Sequence, residues 1–358
     1  MTLPCVESTN TILIEKEAEG FRVRPCCWFI CRNPHYANTI DEINSHKYMK
    51  KIRKQFKKNW QDVPGCKSCV DYENAGLPSN RQNKAEFGKF KGVVRWDIRF
   101  GNTCNLKCIM CSPKYSSKWM EDADIYQKYN FDPVVPVNLT DDEWEYIYQH
   151  TKNRAKEIYF AGGEPLYDKK LIKFLDRLSQ HKRNREFTHI QLQTNAVIVE
   201  TKILEILSRF KRVSFNISVD GWGKVNELIR FPTNHAQVVK NIEKLQKISN
   251  NNIFFTSTLQ AMNLPEVDII KENLSKYTTD SNYVQVANLN QPHHLSINAL
   301  KPHVIERLKK QIKNEIAQEI MNQYVYDEKS NKKMQSYLLE LDARRNTNSR
   351  LIVPWCFE

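Results

Sequence analysis

Short apolar runs alternate with longer amphipathic stretches through the middle of this chain. Six runs rich in β-branched and aromatic residues predict strands at residues 93–100, 156–162, 187–194, 212–219, 253–260 and 283–289. Helical patterns fill the gaps, and Thr140 with Glu143 has the spacing of a capping box at the start of the first. Further helices are expected to begin near Asp168, Thr201 and Asn234, and after Pro265. Strands joined by helical crossovers predict parallel right-handed units, so we expect an α/β fold that curls into a partial (β/α)6 barrel.

The pattern differs at both ends of the chain. Residues 1–90 are short Cys-bearing segments with turn residues and one basic helix at 47–58, where Met49, Ile52 and Phe56 recur at helical spacing. The basic face of that helix is either simply solvated or a contact for an acidic partner or nucleic acid. Residues 302–324 and 332–343 predict two helices. We therefore expect three domains, 1–90, 91–295 and 296–358.

Composition narrows the class of protein. The chain has 358 residues, of which 41% are hydrophobic, so it can bury a sizeable core. Its net charge of +13 is spread over all three expected domains and suits an acidic peptide or a nucleic acid equally. The start lacks the pattern of a signal peptide, and the longest notable apolar run, residues 26–31, is far too short to span a bilayer. We expect a cytoplasmic protein with no membrane partner, in which ten cysteines indicate metal or redox chemistry rather than disulfides.

Three cysteines follow the first barrel strand in the stretch CNLKCIMC. Cys104, Cys108 and Cys111 lie at the carboxyl end of that strand, where such folds gather their chemistry. A simple cubane cluster or a structural zinc site takes four ligands, so three thiolates leave one position for a ligand from outside the protein. A structural zinc site is the alternative.

Polar motifs end the next three strands in turn. AGGEP (161–165) follows the second strand, QTNA with Asn195 ends the third, and SVDG (218–221) ends the fourth. Each taken alone is also what a turn or a capped strand end looks like. Arg230 is a further candidate, for which a structural role is the alternative.

Together these motifs resemble the radical S-adenosylmethionine (SAM) superfamily. The resemblance implies a [4Fe–4S] cluster on Cys104, Cys108 and Cys111 whose open iron chelates the amino and carboxylate groups of SAM. It implies the following SAM-binding residues: Gly162, Gly163, Glu164 and Pro165 at the amino group, Asn195, Ser218 and Asp220 as polar contacts, and Arg230 at the carboxylate. Met110 stands where many members have an aromatic residue that packs on the adenine, a contact that a polarizable thioether can also make.

The cysteines of residues 1–90 resemble the auxiliary-cluster domains called twitch and SPASM, here placed before the barrel instead of after it. That resemblance implies a second [4Fe–4S] cluster on Cys5, Cys26, Cys66 and Cys69, with Cys27 as the alternative to Cys26. A zinc ribbon with the same ligands is the rival interpretation. Cys27 and Cys31 are otherwise expected to be unligated, and Cys356 to be a free thiol.

The resemblance implies an enzyme of the oxidoreductase or modification type. It would cleave SAM reductively to a 5′-deoxyadenosyl radical, with flavodoxin or ferredoxin as electron donor, and abstract hydrogen from a peptide or small molecule. His293 and His294 lie where a substrate would sit, although paired loop histidines more often face solvent. Two alternatives stay open: a radical SAM enzyme acting on nucleic acid, and a non-catalytic zinc protein that binds nucleic acid.

Overall fold

The structure is a computed structural model that describes residues 5–76, 78–130, 137–250, 252–289 and 291–358. The chain forms two compact units, each assembled from separate segments. Unit 1 comprises Met1–Gly101, Val135–Leu192 and Glu205–Val213, and unit 2 comprises Asn102–Val134, Gln193–Leu204 and Ser214–Glu358. The predicted domain boundaries near residues 90 and 295 stay a prediction.

The described residues contain nine strands. They are β1 (Thr11–Glu17), β2 (Gly20–Arg22), β3 (Tyr36–Ala37), β4 (Arg95–Arg99), β5 (Glu157–Ala161), β6 (His189–Thr194), β7 (Arg212–Ser218), β8 (Ile253–Leu259) and β9 (Val284–Asn288).

The α-helices of the described residues vary from single turns to five turns. They are α1 (Glu7–Asn10), α2 (Ile40–Ser45), α3 (Lys47–Lys58), α4 (Lys67–Asn74), α5 (Asn80–Asn83), α6 (Ala123–Asn130), α7 (Asp141–Thr151), α8 (Lys169–Ser179), α9 (Lys182–Phe187), α10 (Thr201–Ser208), α11 (Lys224–Ile229), α12 (His235–Ile248), α13 (Val267–Ser275), α14 (Pro302–Gln311), α15 (Glu315–Asn322), α16 (Glu328–Arg345) and α17 (Ser349–Ile352).

Unit 1 is built on parallel strands. β4 pairs in parallel with β5, and β5 with β6. Ile98, Phe160 and Leu192 on these strands are completely buried, as expected where a sheet is covered on both faces. β1, which the sequence pattern did not predict, pairs in parallel with the other edge of β4, and β2 and β3 extend it in antiparallel fashion. The Cys-bearing N-terminal region therefore continues the same sheet.

Unit 2 continues the alternation of strands and helices. β7 pairs in parallel with β8, and β8 with β9, while α12 and α13 follow β7 and β8. All six predicted barrel strands are present, and the prediction of an α/β fold with parallel strands is confirmed.

All five predicted helix starts are confirmed, and three of them have a side-chain cap. Thr140 Oγ1 accepts from the Glu143 backbone N–H and the Glu143 carboxylate accepts from the Thr140 N–H, completing the capping box. Asp168 and Asn234 cap α8 and α12 by a single bond each, accepting from the backbone N–H three residues on. In α3, Met49, Ile52 and Phe56 are buried as the spacing predicted.

The C-terminal helices differ from the prediction. The single helix expected over residues 302–324 is two helices, because α14 ends at Gln311 and the Asn314 side chain accepts from the Ala317 backbone N–H to start α15. An asparagine side chain that can cap a helix competes with continuation of the preceding one. α16 is longer than the 332–343 predicted. None of the helices in the described ranges has the length and apolar character that a membrane span requires.

Candidate functional site

The loop that carries Cys104, Cys108 and Cys111 lies in unit 2 and is closed by its own polar groups. Asn102 donates its side-chain amide to the Pro113 carbonyl at 2.8 Å and accepts at its own carbonyl from the Ser117 N–H at 2.7 Å. The Ser116 hydroxyl donates to the Leu106 carbonyl inside the loop. These bonds set the loop's conformation before any ligand is considered.

A second set of contacts ties the loop to α16. Trp119 Nε1 donates to the Cys108 carbonyl and the Tyr337 hydroxyl to the Ile109 carbonyl, both at 2.9 Å. Buried Asp122 lies 2.9 Å from Lys107 Nζ and 3.1 Å from Arg345 Nη2. The loop backbone and its one lysine are therefore held by residues up to 238 positions further along the chain.

Arg230 lies against the same loop. The Lys107 N–H donates to the Phe231 carbonyl at 2.6 Å and the Ile109 N–H to the Ile229 carbonyl at 2.8 Å, so the segment 229–231 runs alongside the loop. Arg230 Nη2 lies 2.6 Å from the Asp220 carboxylate. Its Nε is buried and has no hydrogen-bond acceptor in the described part of the chain, so the guanidinium has a donor left for a ligand.

Asp220 is fully buried and its carboxylate is engaged. It accepts from the Thr258 backbone N–H at 2.6 Å and pairs with Arg230, while the Asn226 side chain accepts from its N–H. Burial raises the pKa of Asp220, and the charge of Arg230 opposes that rise. In this structure Asp220 positions Arg230, which differs from the direct SAM contact that the resemblance implies.

The loop thiols lie near charged side chains of both signs. Cys108 is buried, and Cys104 and Cys111 are partly buried. Burial raises the pKa of the Cys108 thiol, the charges of Arg230 and Arg345 lower it, and the charge of Asp220 raises it. Burial and the neighbouring Cys108 raise the pKa of Cys111 to about 12. Thiolates here need a bound cation, and the two arginines suit the net negative charge of a thiolate-ligated cluster. The donor set therefore fits a [4Fe–4S] cluster with three cysteine ligands.

The strand ends of unit 2 add two further contacts. The Asn195 amide donates to the Asn105 side chain at 2.9 Å, and Asn105 lies within the cysteine loop. Gln193 Nε2 donates to the Ser218 hydroxyl at 2.7 Å. Met110 is partly buried and packs against the apolar core under the loop. Asn195 is thus joined to the loop by a hydrogen bond. In the same unit, Ser218 accepts from Gln193 and Met110 contacts the apolar core.

The AGGEP motif lies in unit 1. Gly162 has a φ of +140°, and a Cβ there would come within 2.7 Å of the Gly101 carbonyl, so the close approach of the two backbones requires glycine. The Gly163 N–H donates to that same carbonyl at 2.8 Å. Glu164 is 1% exposed and accepts from the Leu166 N–H at 2.9 Å. Pro165 is buried directly after it. The motif is a rigid turn that fixes the orientation of the Glu164 carboxylate.

Four cysteines of unit 1 line one cavity. They are Cys5, Cys26, Cys66 and Cys69, and they share it mainly with aromatic side chains, Trp28, Phe29, Phe56 and Trp60, and with Arg81. Burial raises the pKa of the Cys5 and Cys66 thiols to about 12 each, and each is also raised by a neighbouring cysteine. Four thiols that line one mainly aromatic cavity are the donor set of an iron–sulfur cluster or a zinc site.

The remaining cysteines lie elsewhere. Cys27 does not line this cavity, and its carbonyl accepts from Arg24. The Cys31 thiol donates to the Asn33 carbonyl at 2.9 Å, and Cys356 is buried near the C-terminus. In the ranges that the structure describes, no three His, Cys, Asp or Glu side chains are arranged to hold a single metal ion.

The two histidines after β9 have different surroundings. His293 is exposed, whereas His294 is 3% exposed and packs against the rings of Tyr129 and Tyr337. Burial lowers the pKa of His294 to about 3. His294 therefore belongs to the core beneath the cysteine loop.

Sequence reasoning missed the residues that support the loop: Lys107, Trp119, Asp122, Tyr337 and Arg345. Lys107 is the one with a visible signal, since a lysine inside the cysteine motif that is 7% exposed needs a buried anion. The others are ordinary helix residues until the fold brings them together.

Comparison with known proteins gives the same family as the motifs. Residues 98–274 match the family described as the radical SAM superfamily. Residues 98–274 therefore form a radical SAM domain. A GTP 3′,8-cyclase of Campylobacter lari is 25% identical over 174 residues, which are 47% of this chain and 48% of that protein. An uncharacterised protein of Methanocaldococcus jannaschii is 26% identical over 181 residues, 49% of this chain and 57% of that protein. The matched region thus spans about half the length of each of these curated relatives.

Solved structures similar to this chain include two that hold SAM or a peptide. One is anSMEcpe with bound AdoMet, at 18% identity and a TM-score of 0.42, covering 69% of this chain and 58% of that one. Another is Streptococcus suis SuiB bound to its precursor peptide SuiA, at 13% identity and a TM-score of 0.39, covering 89% of this chain and 55% of that one.

Proposed function

We propose that this chain is a radical SAM enzyme whose Cys104, Cys108 and Cys111 hold a [4Fe–4S] cluster that binds SAM. The observation that carries the proposal is the loop itself: three thiols within eight residues, near the Arg230 guanidinium, whose Nε has no acceptor among the residues that the structure describes. When bound, the cluster and SAM supply one-electron cleavage of SAM and a radical that takes hydrogen from a substrate carbon.

The residues of the chain would then bind and orient. Arg230 would bind the carboxylate of SAM through a charge-assisted hydrogen bond, and its pairing with Asp220 at 2.6 Å supports this proposal. Asn195 steadies the loop through Asn105. Glu164 keeps the role that its motif implies, accepting from the amino group of SAM, and its buried, fixed carboxylate suits that role. Such preorganisation lowers the entropic cost of reaching the reactive geometry.

We propose further that Cys5, Cys26, Cys66 and Cys69 hold an auxiliary [4Fe–4S] cluster. The shared cavity supports this assignment and favours Cys26 over Cys27. Zinc takes the same four ligands, so the metal has to be measured.

The substrate class we propose is a peptide or a small molecule, with a one-electron donor such as flavodoxin or ferredoxin. The net charge of +13 favours an acidic substrate. One relative is named GTP 3′,8-cyclase, and GTP is a small anionic molecule. This supports keeping such molecules in the proposed substrate class.

The test is anaerobic purification and reconstitution with iron and sulfide. We expect a brown protein with about eight iron atoms per chain, a cluster spectrum that changes on adding SAM, and 5′-deoxyadenosine after reduction. About four iron atoms with one zinc would assign the N-terminal site to zinc. A cluster that does not respond to SAM would refute the enzyme, and a colourless zinc protein that binds nucleic acid would establish the alternative. Deuterium transfer from labelled candidate peptides or nucleotides into 5′-deoxyadenosine would then identify the substrate.

A further inference from the structure

One face of α3 carries an unbalanced positive charge. Lys47, Lys50, Lys51, Lys54, Lys57 and Lys58 are all exposed, and we call them the lysine face of α3. The opposite face, with Met49, Ile52 and Phe56, is buried in unit 1. The helix contains no acidic residue.

Arg53, the seventh basic residue of α3, has a structural role. Arg53 is partly buried, and it donates to the Ser8 carbonyl at 2.6 Å and to the Asn44 side chain at 2.8 Å. None of the six lysines has an ion pair or hydrogen-bonded side chain within the residues that the structure describes. The contacts of Arg53 within the fold account for a basic residue at that position. The described contacts do not account for the six lysines in this way.

The charges of the lysine face act on α3 in two directions. Like charges three and four residues apart repel on a helix surface, and Lys47 and Lys50 lie near the positive end of the helix dipole, whereas Lys57 and Lys58 lie in the last turn, where cations are favourable. Water and salt screen the repulsion between the lysines, and an acidic partner would reduce it further.

The position of the helix points to the kind of partner. Phe56, on its buried face, lines the four-cysteine cavity beside Cys66 and Cys69. An α-helix with its side chains is about 10–12 Å across, so the lysine face lies about one helix diameter from that cavity.

An exposed apolar patch lies at the same cavity. Trp28 lines the cavity and packs edge-on against Tyr72, with ring centroids 5.3 Å apart. Trp28 is 38% exposed, Tyr72 43% and Ile30 63%. Apolar side chains with charged residues nearby are the usual anatomy of a protein interface. An apolar centre of this kind fits a folded protein partner, and the lysine face fits an acidic one.

We propose that the lysine face of α3 and the patch of Trp28, Ile30 and Tyr72 form the docking surface for an acidic electron-donor protein that reduces the N-terminal cluster. The inference rests on the proposed function, because it needs the cluster on the four cysteines. In the step itself the donor loses one electron and the cluster gains it, with no other bond made or broken. Redox complexes of this type bury little surface and depend strongly on ionic strength.

The test compares two matched charge reversals in the full-length reconstituted protein. One is Lys50→Glu/Lys54→Glu/Lys57→Glu on the lysine face, and the control is Lys309→Glu/Lys310→Glu/Lys313→Glu at exposed lysines in and after α14. Stopped-flow absorbance measures the rate of cluster reduction by fully reduced flavodoxin, and calorimetry measures binding of oxidised flavodoxin, which requires no activity. Each protein is also reduced with dithionite, a small reductant that needs no docking surface.

We expect the α3 variant to lose about tenfold or more in both the flavodoxin rate and the binding constant, with the dithionite rate unchanged. In the wild type, the flavodoxin rate and the binding constant should fall by a similar factor as salt rises from about 0.05 to about 0.5 M. The α14 variant should behave as the wild type.

Three results would overturn the inference in distinguishable ways. An unchanged flavodoxin rate in the α3 variant, with both clusters present, would overturn the docking surface alone. Loss of single-stranded RNA binding in that variant, with the flavodoxin rate intact, would assign the surface to nucleic acid instead. Absence of any dithionite-reducible cluster on the four cysteines would overturn the proposed N-terminal cluster and its docking role together.

Discussion

The two groups of cysteines differ in how far apart their members lie in the sequence. Cys104, Cys108 and Cys111 lie within eight residues of one loop, whereas Cys5, Cys26 and the pair Cys66 and Cys69 come from three places within 65 residues. The loop is recognisable in sequence because its geometry is local. The four-cysteine cavity depends on how α1, α3 and α4 pack, so spacing alone could not decide between Cys26 and Cys27.

The surroundings differ as well. The loop thiols lie near two arginines that are each paired with an aspartate, and they belong to a set of three. The four thiols share their cavity mainly with aromatic rings. An incomplete set of ligands near Arg230, whose Nε has no acceptor in the described part of the chain, is suited to an outside ligand. A complete set in an apolar pocket is suited to storing or passing an electron. Variants at each group of cysteines, and at the residues around them, test that contrast.

Replacing Cys104, Cys108 or Cys111 with Ala should abolish reductive SAM cleavage, to below about 1% of wild type, because three ligands are the minimum for this cluster. 5′-Deoxyadenosine is measured by chromatography, and iron should fall from about eight to about four atoms per chain. Cys31→Ala is the control and should leave both values unchanged. Normal 5′-deoxyadenosine formation in any of the three variants would contradict the assignment.

Replacing Cys26 and Cys27 separately should give opposite results although the two are adjacent. Cys26→Ala should lose about four iron atoms per chain, since its thiol lines the cavity, and Cys27→Ala should lose none. Iron and sulfide analysis and electron paramagnetic resonance of the reduced proteins measure this. The reverse pattern would show that Cys27 is the ligand.

Weakening the Arg230–Asp220 pair should lower SAM affinity while the cluster stays in place. Arg230→Lys keeps the charge but not the planar guanidinium, and Asp220→Asn removes the charged partner that orients Arg230. We expect about 10- to 100-fold weaker SAM binding for each variant. Titration of the cluster spectrum with SAM gives the constants, with Arg350→Lys as control. Unchanged affinity in both variants would leave Arg230 with a structural role only.

Acid should destabilise the core beneath the cysteine loop. Burial lowers the pKa of His294 to about 3, below the ordinary value of 6.5, so the unfolded chain binds a proton that the folded chain does not. The stability contributed by neutral His294 is full above about pH 6.5 and is lost as pH falls towards 3, by about 1.4 kcal/mol per pH unit. Urea unfolding of metal-free protein at pH 7 and pH 5 measures this, and His294→Phe should flatten the dependence. An equal slope in that variant would place the titration elsewhere.

Tyr337→Phe should have the smallest effect. It removes only the hydroxyl that donates to the Ile109 carbonyl, and a buried carbonyl left without its donor costs about 1–3 kcal/mol. Unfolding midpoints give the loss, and we expect the loop cluster to be released sooner on dilution into chelator while the N-terminal cluster is released at the wild-type rate. Equal acceleration of both would show a general loss of stability instead.

Much of the fold was predictable because its signals are local. Strand runs, the capping box at Thr140 and the apolar stripe of α3 each depend on residues a few positions apart. β1 was missed although Thr11–Ile14 is a β-branched and aliphatic run, because the mixed polar residues after it obscured the pattern. The break before Asn314 was missed because a capping asparagine and an interior one look alike in sequence.

The candidate site was predictable to a lesser degree. The ligand-bearing loop carries a motif, but Tyr337 and Arg345 reach it across more than 220 residues, and no short pattern reports such a contact. Asp220 shows the other limit. Its motif implied contact with SAM, whereas its carboxylate is engaged by Arg230 and by a backbone amide.

The dependence of the cysteine loop on α16 also orders events during biosynthesis. Until residue 345 has left the ribosome, Asp122 lacks its arginine and the Ile109 carbonyl lacks its hydroxyl donor. A nascent chain can therefore present these thiols but not their finished surroundings, so machinery that delivers iron and sulfide would meet a competent acceptor only late in translation.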